Sequence, residues 1–203
     1  MITTFPSEMI AAYPVGGGEA IPATYIRSTV IGASLLSLRT HGYFDRYIAL
    51  LPEVHHKAVL ENVAGVWLPM DIAAAHYRAC NALELTAAQQ FEMGSSVSER
   101  LHGSFLGTLV RLAKTVGFRP TGVAKHYPRL WERIFQGGGF RLFRSGPKDL
   151  TIEFKQVELF EIPYFRRGFR GLNQAAFQLF ASHVHVREAS SARSELALRI
   201  SWV

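Results

Sequence analysis

The sequence predicts an α+β fold in which a layer of helices is followed by an antiparallel β-β-α-β-β sheet. In residues 24–136 the apolar side chains recur every three or four positions, as they do on one face of a helix. Gly137-Gly138-Gly139 ends that pattern, and in residues 137–203 apolar and polar side chains mostly alternate, as in a half-buried strand. We therefore expect a helical part at 24–136 and a sheet part at 137–203.

Residues 1–23 are expected to form a flexible arm ahead of a single domain spanning 24–203. This segment contains Gly16-Gly17-Gly18 and three prolines, which interrupt any helical or strand period. A chain of 203 residues has about the length of one domain.

The helices of the first part are bounded by residues that commonly start or end a helix. Gly42 follows the first helix, and Pro69 lies near the start of the helix predicted at 67–83. A short strand is expected from Thr24, followed by a helix that ends at Thr40. Further helices are predicted at 44–51, 53–62, 67–83, 86–116 (bent near Gly94) and 120–136.

The second part is predicted to contain two hairpins separated by a helix. Ser145-Gly146-Pro147-Lys148 has the composition of a turn between two alternating runs. A helix is expected from Pro163 to about Phe180. Two further strands follow, and strict alternation from Leu196 places Trp202 on the inner face.

Composition is that of a globular protein, with 48% hydrophobic and 19% charged residues. The single cysteine, Cys80, excludes an intrachain disulfide and suits a reducing compartment. The N-terminus has neither the basic nor the apolar segment of a signal peptide, and no apolar run is long enough to span a bilayer. We therefore expect a cytoplasmic protein.

Charge is distributed unevenly along the chain. Residues 1–100 carry a net charge of −3 and residues 101–203 carry +9, which add up to +6. Such a basic half can bind an anionic partner, or it can be a solvated face that keeps the protein in solution. The candidate residues for an anionic partner are Arg141, Arg144, Lys148, Arg166, Arg167 and Arg170. On a helix, Arg166 and Arg170 would share a face opposite Phe165 and Phe169.

Five segments, in this order and spacing, resemble one protein family. They are IRSTVIGASLLSLRTHG (26–42), GVWLPMDI (65–72), FEMGSSVSE (91–99), PRLWERIFQGG (128–138) and LALRISW (196–202). The chain resembles a paralogous family of about 200 residues, roughly one domain, from myxobacteria and other deltaproteobacteria. Its fold is similar to the haem–nitric-oxide-binding (H-NOX) domain and to 4-vinyl-reductase-type binding domains. The resemblance implies an H-NOX-like fold and a sensor or binding module.

The sequence departs from those relatives where they hold a cofactor. The Tyr-x-Ser-x-Arg motif that grips porphyrin propionates is missing from residues 151–170, and the last hairpin contains no cysteine. If haem were bound, His76 and His126 would be the candidate iron ligands. His76 lies on an apolar helical stripe, which favours a core histidine with one backbone partner. We therefore expect no cofactor.

Catalytic and metal motifs are also missing. His183 and His185 share a strand face without a third ligand nearby in sequence. Ser104 stands one position too early for a nucleophile elbow, and no acid–base pair has a credible spacing. Residues 166–171 depart from an RNA-recognition octamer, so nucleic acid is not favoured.

The sequence therefore predicts a non-catalytic regulatory module that binds a small apolar ligand or a protein partner, which includes a second copy in a homodimer. Two alternatives stay open: a haem or tetrapyrrole sensor of gas or redox state, and a binder of an anionic polymer through the basic half.

Overall fold

A computed structural model describes residues 7–16, 18–101 and 120–203. The α+β prediction is confirmed: helices dominate up to residue 134 and antiparallel strands follow. The helices are α1 (Ser28–Thr40), α2 (Phe44–Leu50), α3 (His56–Leu60), α4 (Met70–Asn81), α5 (Ala87–Leu101), α6 (Pro120–Ala124), α7 (Tyr127–Ile134) and α8 (Pro163–Gln178). None of these helices is long and apolar enough to cross a membrane.

The main sheet has five antiparallel strands in the order β1-β5-β6-β8-β7. They are β1 (Glu8–Tyr13), β5 (Gly139–Gly146), β6 (Asp149–Lys155), β7 (Val184–Ala192) and β8 (Glu195–Trp202). With α8 between β6 and β7, the predicted β-β-α-β-β order is confirmed. Trp202 is partly buried and packs against the core, on the predicted side.

The prediction of a flexible arm is wrong for Glu8–Tyr13. This segment pairs with β5 and adds a fifth strand at the edge of the sheet. Its backbone donors and acceptors are satisfied by residues more than 120 positions away in sequence. Local composition carries no signal of such a long-range pairing.

A second, three-stranded sheet is present, and two predicted helix boundaries are wrong because residues at them belong to its strands. It has the order β3-β2-β4, formed by β2 (Tyr25–Arg27), β3 (Trp67–Pro69) and β4 (Phe135–Gln136). Trp67–Pro69 is therefore a strand and α4 begins only at Met70. The predicted helix 120–136 is two helices and a strand, because Phe135–Gln136 pairs with β2.

The predicted helix 86–116 is helical from Ala87 to Leu101, and its remainder lies outside the described residues, as does Ser104. Within α5, Gly94 is where the helix meets α8. A Cβ on Gly94 would overlap the Gly168 carbonyl, and a Cβ on Gly171 would overlap the Phe91 carbonyl. Glycine at these positions lets the two helix backbones touch.

Candidate functional site

A small cavity lies among five helices, on the side of α8 that faces α5. The space open to small molecules in it is about 40 Å³. Its described lining is Val30, Ser34, Tyr77, Met93, Gly94, Val97, Ile134, Phe135, Tyr164, Phe165, Gly168, Phe169 and Leu172. Most of these side chains are apolar, and three carry hydroxyl groups.

Behind those hydroxyls lies a buried polar group of residues that we call the His76 cluster: Ser34, Tyr47, His76, Cys80 and Tyr164. The His76 Nδ1 atom is 2.6 Å from the Tyr47 hydroxyl, and Nε2 is 3.0 Å from Ser34 Oγ. Cys80 Sγ lies 3.7 Å from the same Nε2. With either tautomer, both ring nitrogens have a hydrogen-bond partner.

Burial keeps the His76 cluster uncharged. His76 is fully buried, and burial lowers its pKa from 6.5 to about 3. Burial also raises the pKa of the Tyr47 and Tyr164 hydroxyls and of the Cys80 thiol above their ordinary values. At neutral pH the cluster therefore offers hydrogen bonds and no net charge.

The cluster is assembled by four helices, the fourth being α8, which contributes Tyr164. His76 and Cys80 lie one turn apart on α4, where Ala73, Ala74 and Ala79 are also buried. α1 contributes Ser34 and α2 contributes Tyr47. The reading of His76 as a core histidine agrees with its burial, but its partners are two side chains and not a backbone carbonyl.

Aromatic rings fill the space between α8 and the inner face of the main sheet. Phe154 on β6 stands edge-on to Phe169, with ring centroids 5.1 Å apart. Phe160 lies 5.3 Å from Phe169 and 5.7 Å from Phe154. Trp131 stacks on Phe154 at 5.6 Å from the other side. The helix–sheet interface is thus packed with side chains.

Solved structures of H-NOX domains are similar to this chain. A structure from a study of haem distortion in the H-NOX family matches with a TM-score of 0.60 at 13% identity, covering 87% of this chain and 95% of that one. An oxygen-binding H-NOX domain related to soluble guanylate cyclases matches with a TM-score of 0.57 at 16% identity, with the same coverage of both chains. A mutant Fe(II) unliganded H-NOX protein from K. algicida matches with a TM-score of 0.60 at 11% identity, covering 88% and 97%.

The fold is H-NOX-like. At these identities the similarity establishes the fold alone. No protein-family model matches the chain, and no curated protein matches it.

The described residues of this H-NOX-like fold do not fit a haem. Pockets for drug-sized ligands measure roughly 300–1,000 Å³, far more than the cavity of about 40 Å³. His76 has both ring nitrogens occupied by Tyr47 and Ser34. His126 is partly exposed just before α7 and is not part of the described cavity lining. Within the described part of the chain, neither candidate ligand therefore faces a cavity that could receive a porphyrin.

The arginines of α8 do not form the free basic stripe that the sequence predicts. The Arg166 guanidinium lies 3.4 Å from Glu188 of β7 and donates to the Phe160 carbonyl. Arg167 donates to Gln90 of α5 at 2.9 Å, and Arg170 lies 4.9 Å from the centre of the Phe91 ring. Helical periodicity could not reveal these contacts, because α5 and β7 flank this face of α8 only in the folded chain.

The other predicted basic residues lie on or beside the first hairpin of the main sheet. Arg141 is exposed on β5, and Lys148 is exposed in the turn between β5 and β6. Arg144 is partly buried and donates to the Gly146 carbonyl. These three are therefore separate from the α8 arginines, and their role as an anion-binding surface remains a prediction.

Two further results concern metal binding and the tyrosines of the His76 cluster. His183 and His185 are exposed, and no group of three or more His, Cys, Asp or Glu suited to a metal ion occurs among the described residues. Tyr47 and Tyr164, which complete the His76 cluster, were missed by sequence reasoning. The only available signal was their position in helices with other apolar residues, which does not distinguish a buried hydroxyl from an ordinary core tyrosine.

Proposed function

We propose that this protein is a non-catalytic regulatory module that binds a small, uncharged, mostly apolar ligand in the helix-bounded cavity. The observation that carries the proposal is the apolar cavity whose polar groups are the hydroxyls of Ser34, Tyr77 and Tyr164. A few polar groups in an apolar cavity are typical of a ligand site, because they orient the ligand while burial supplies the affinity.

The His76 cluster favours an uncharged ligand. Ser34 and Tyr164 belong both to the cavity lining and to the cluster, so a ligand would compete for hydrogen bonds within a neutral, buried network. An ionic ligand would lose its hydration there without meeting an opposite charge. A ligand with one hydroxyl or carbonyl group can exchange a hydrogen bond with a hydroxyl and keep its apolar remainder among Val30, Val97 and Leu172.

The size of the cavity limits the ligand to a few heavy atoms unless side chains move. Met93 lines the cavity, and a methionine side chain can repack around a ligand more readily than a branched one. Hemin is too large to enter by such a local adjustment.

Contact between α5 and α8 gives the site a route to a regulatory effect. Gly94 and Gly168 line the cavity at the helix crossing, so a bound ligand would press on the contact itself. α8 in turn holds β7 through the Arg166–Glu188 ion pair. A displacement of α8 would therefore also displace β7 of the main sheet.

The test is NMR of the full chain, with xenon as a purely apolar probe and 1-propanol as an apolar probe with a hydroxyl group. We expect both to shift the amide signals of residues lining the cavity, and 1-propanol to bind more tightly. Val97→Phe, which fills the cavity, should abolish the shifts, whereas Val54→Phe on an 81% exposed position should leave them unchanged. Shifts that survive Val97→Phe would place the probe elsewhere and contradict the proposal.

The haem alternative has its own measurement. We expect that hemin added to the protein produces no stoichiometric Soret band, because the cavity lined by the described residues is too small and both ring nitrogens of His76 are already hydrogen-bonded. A Soret band lost in His76→Ala or in His126→Ala would overturn this expectation and identify the ligand. Residence in the cytoplasm and membership of the myxobacterial paralogous family are further proposals, supported by the composition and by the five segments described above.

A further inference from the structure

The register of the main sheet brings together basic residues that are far apart in sequence. Val186 and Ile200 on neighbouring strands are buried, so the residues alternating with them lie on the outer face of the sheet. On that face Arg187 of β7 stands directly opposite Arg199 of β8. Arg187 is exposed, and the Arg199 side chain is 42% exposed.

Two arginines in this arrangement repel each other. Directly opposite residues have Cβ atoms about 4.5–5.5 Å apart, and like charges at that distance destabilise a sheet. Asp149 offsets one of them, since its carboxylate is 3.3 Å from Arg199 Nε. Arg187 has no ion pair within the described part of the chain.

Lys148 adds a third positive charge at the same end of the sheet. It is exposed in the turn before β6, and its carbonyl accepts a hydrogen bond from the Trp202 amide at the end of β8. We call Lys148, Arg187 and Arg199 the basic corner. It contains three cations, and Asp149 forms an ion pair with one of them, Arg199.

We propose that the basic corner binds a carboxylate-rich segment of a partner protein. Charge complementarity carries the proposal, because carboxylates placed between Arg187 and Arg199 would relieve their repulsion and satisfy the free guanidinium donors. This surface differs from the α8 arginines, which are engaged with Glu188, Gln90 and Phe91.

The surroundings favour a protein partner that lies on the face of the sheet. The open edge of β7 is partly covered by α8, because Gln174 accepts from the Val186 amide and Arg166 pairs with Glu188. A partner strand could not extend the sheet there without displacing these contacts. Single-stranded nucleic acid is bound by successive stacking aromatics, whereas the residues next to Arg199 on this face are Thr151 and Arg187.

The experiment measures binding of a labelled synthetic peptide of repeated Glu-Glu-Ser-Gly to the full chain. We expect Arg187→Glu to weaken binding about tenfold, and to flatten its salt dependence. Arg193→Glu is the matched control, because it makes the same change of net charge at a 91% exposed arginine in the neighbouring turn. It should weaken binding about twofold or less. Circular dichroism verifies that both variants are folded.

Three outcomes would overturn the proposal. Equal weakening by both variants would mean that the peptide senses only net charge. Absence of measurable binding to the peptide would mean that the basic corner does not recognise carboxylates. Tighter, Arg187-dependent binding of oligo-dT or of phosphatidylglycerol vesicles would assign the corner to a phosphate-bearing partner instead. None of these outcomes bears on the cavity, whose NMR test is independent.

Discussion

Acidification should destabilise the fold through His76 before the carboxylates begin to titrate. The group is a base whose pKa falls from 6.5 to about 3 on burial. Below pH 6.5 the His76 side chain is therefore protonated in the unfolded chain, whereas in the folded chain it is protonated only below about pH 3. Stability is present above pH 6.5 and is lost progressively as the pH falls from 6.5 towards 3.

The magnitude follows from the two pKa values. Between pH 6.5 and pH 3, each fall of one pH unit lowers the free energy of unfolding by about 1.4 kcal/mol. Between pH 7 and pH 5 the loss of unfolding free energy attributable to His76 is therefore about 2 kcal/mol. The physical cause is that an imidazolium enclosed by Tyr47 and Ser34 would have neither water nor a carboxylate to stabilise it.

Urea unfolding at pH 7, 6 and 5 measures this effect when the protein is compared with His76→Gln. Glutamine retains a donor and an acceptor but does not titrate, so the stability gap between the two proteins should shrink by about 2 kcal/mol towards pH 5. His185→Gln, on an exposed strand position, is the control and should run parallel to the parent. Parallel profiles for parent and His76→Gln would refute the reasoning.

Three further predictions concern packing, hydrogen bonding and charge. Gly94→Ala should lower the free energy of unfolding by roughly 3 kcal/mol or prevent folding, because the new Cβ would overlap the Gly168 carbonyl. Gly168→Ala should be tolerated, because its Cβ would meet only ordinary contacts at 3.5 Å or more. Equal thermal stability of the two variants would contradict this. Tyr127→Phe should lower the free energy of unfolding measured in urea by about 1–2 kcal/mol, since the buried Asn173 Oδ1 would lose the 2.8 Å hydrogen bond from the tyrosine. An unchanged unfolding midpoint would contradict this prediction. Arg187→Thr should stabilise the protein by about 0.2–1 kcal/mol by removing a like-charge pair, and a lower melting temperature would show that Arg187 has a structural role.

The fold could be predicted wherever local pattern and final packing agree. The alternation from Leu196 to Trp202 survives in β8 because Leu196, Leu198 and Ile200 on one face of that strand are buried. The helix at Pro163 begins where proline permits it and ends at Gln178, near the predicted end. In both cases the side chains that define the period are also those that pack in the core.

The candidate site could be predicted only in part. The apolar stripe of α4 indicated a buried His76, and the structure buries it completely. Its partners could not be predicted, because Tyr47 lies 29 positions away and Ser34 lies 42 positions away. The contacts of Arg166 and Arg167 were missed for the same reason, since their partners come from β7 and α5.

The sequence by itself determined the α+β class, the β-β-α-β-β order of residues 137–203 and the burial of His76, because periodicity records which side of each segment avoids water. Only the tertiary structure decided the edge pairing of Glu8–Tyr13, the neutral cluster around His76 and the opposition of Arg187 to Arg199. Each of these depends on register or on packing between distant segments. Such contacts form only when the backbone hydrogen bonds and the core of the whole chain are satisfied together.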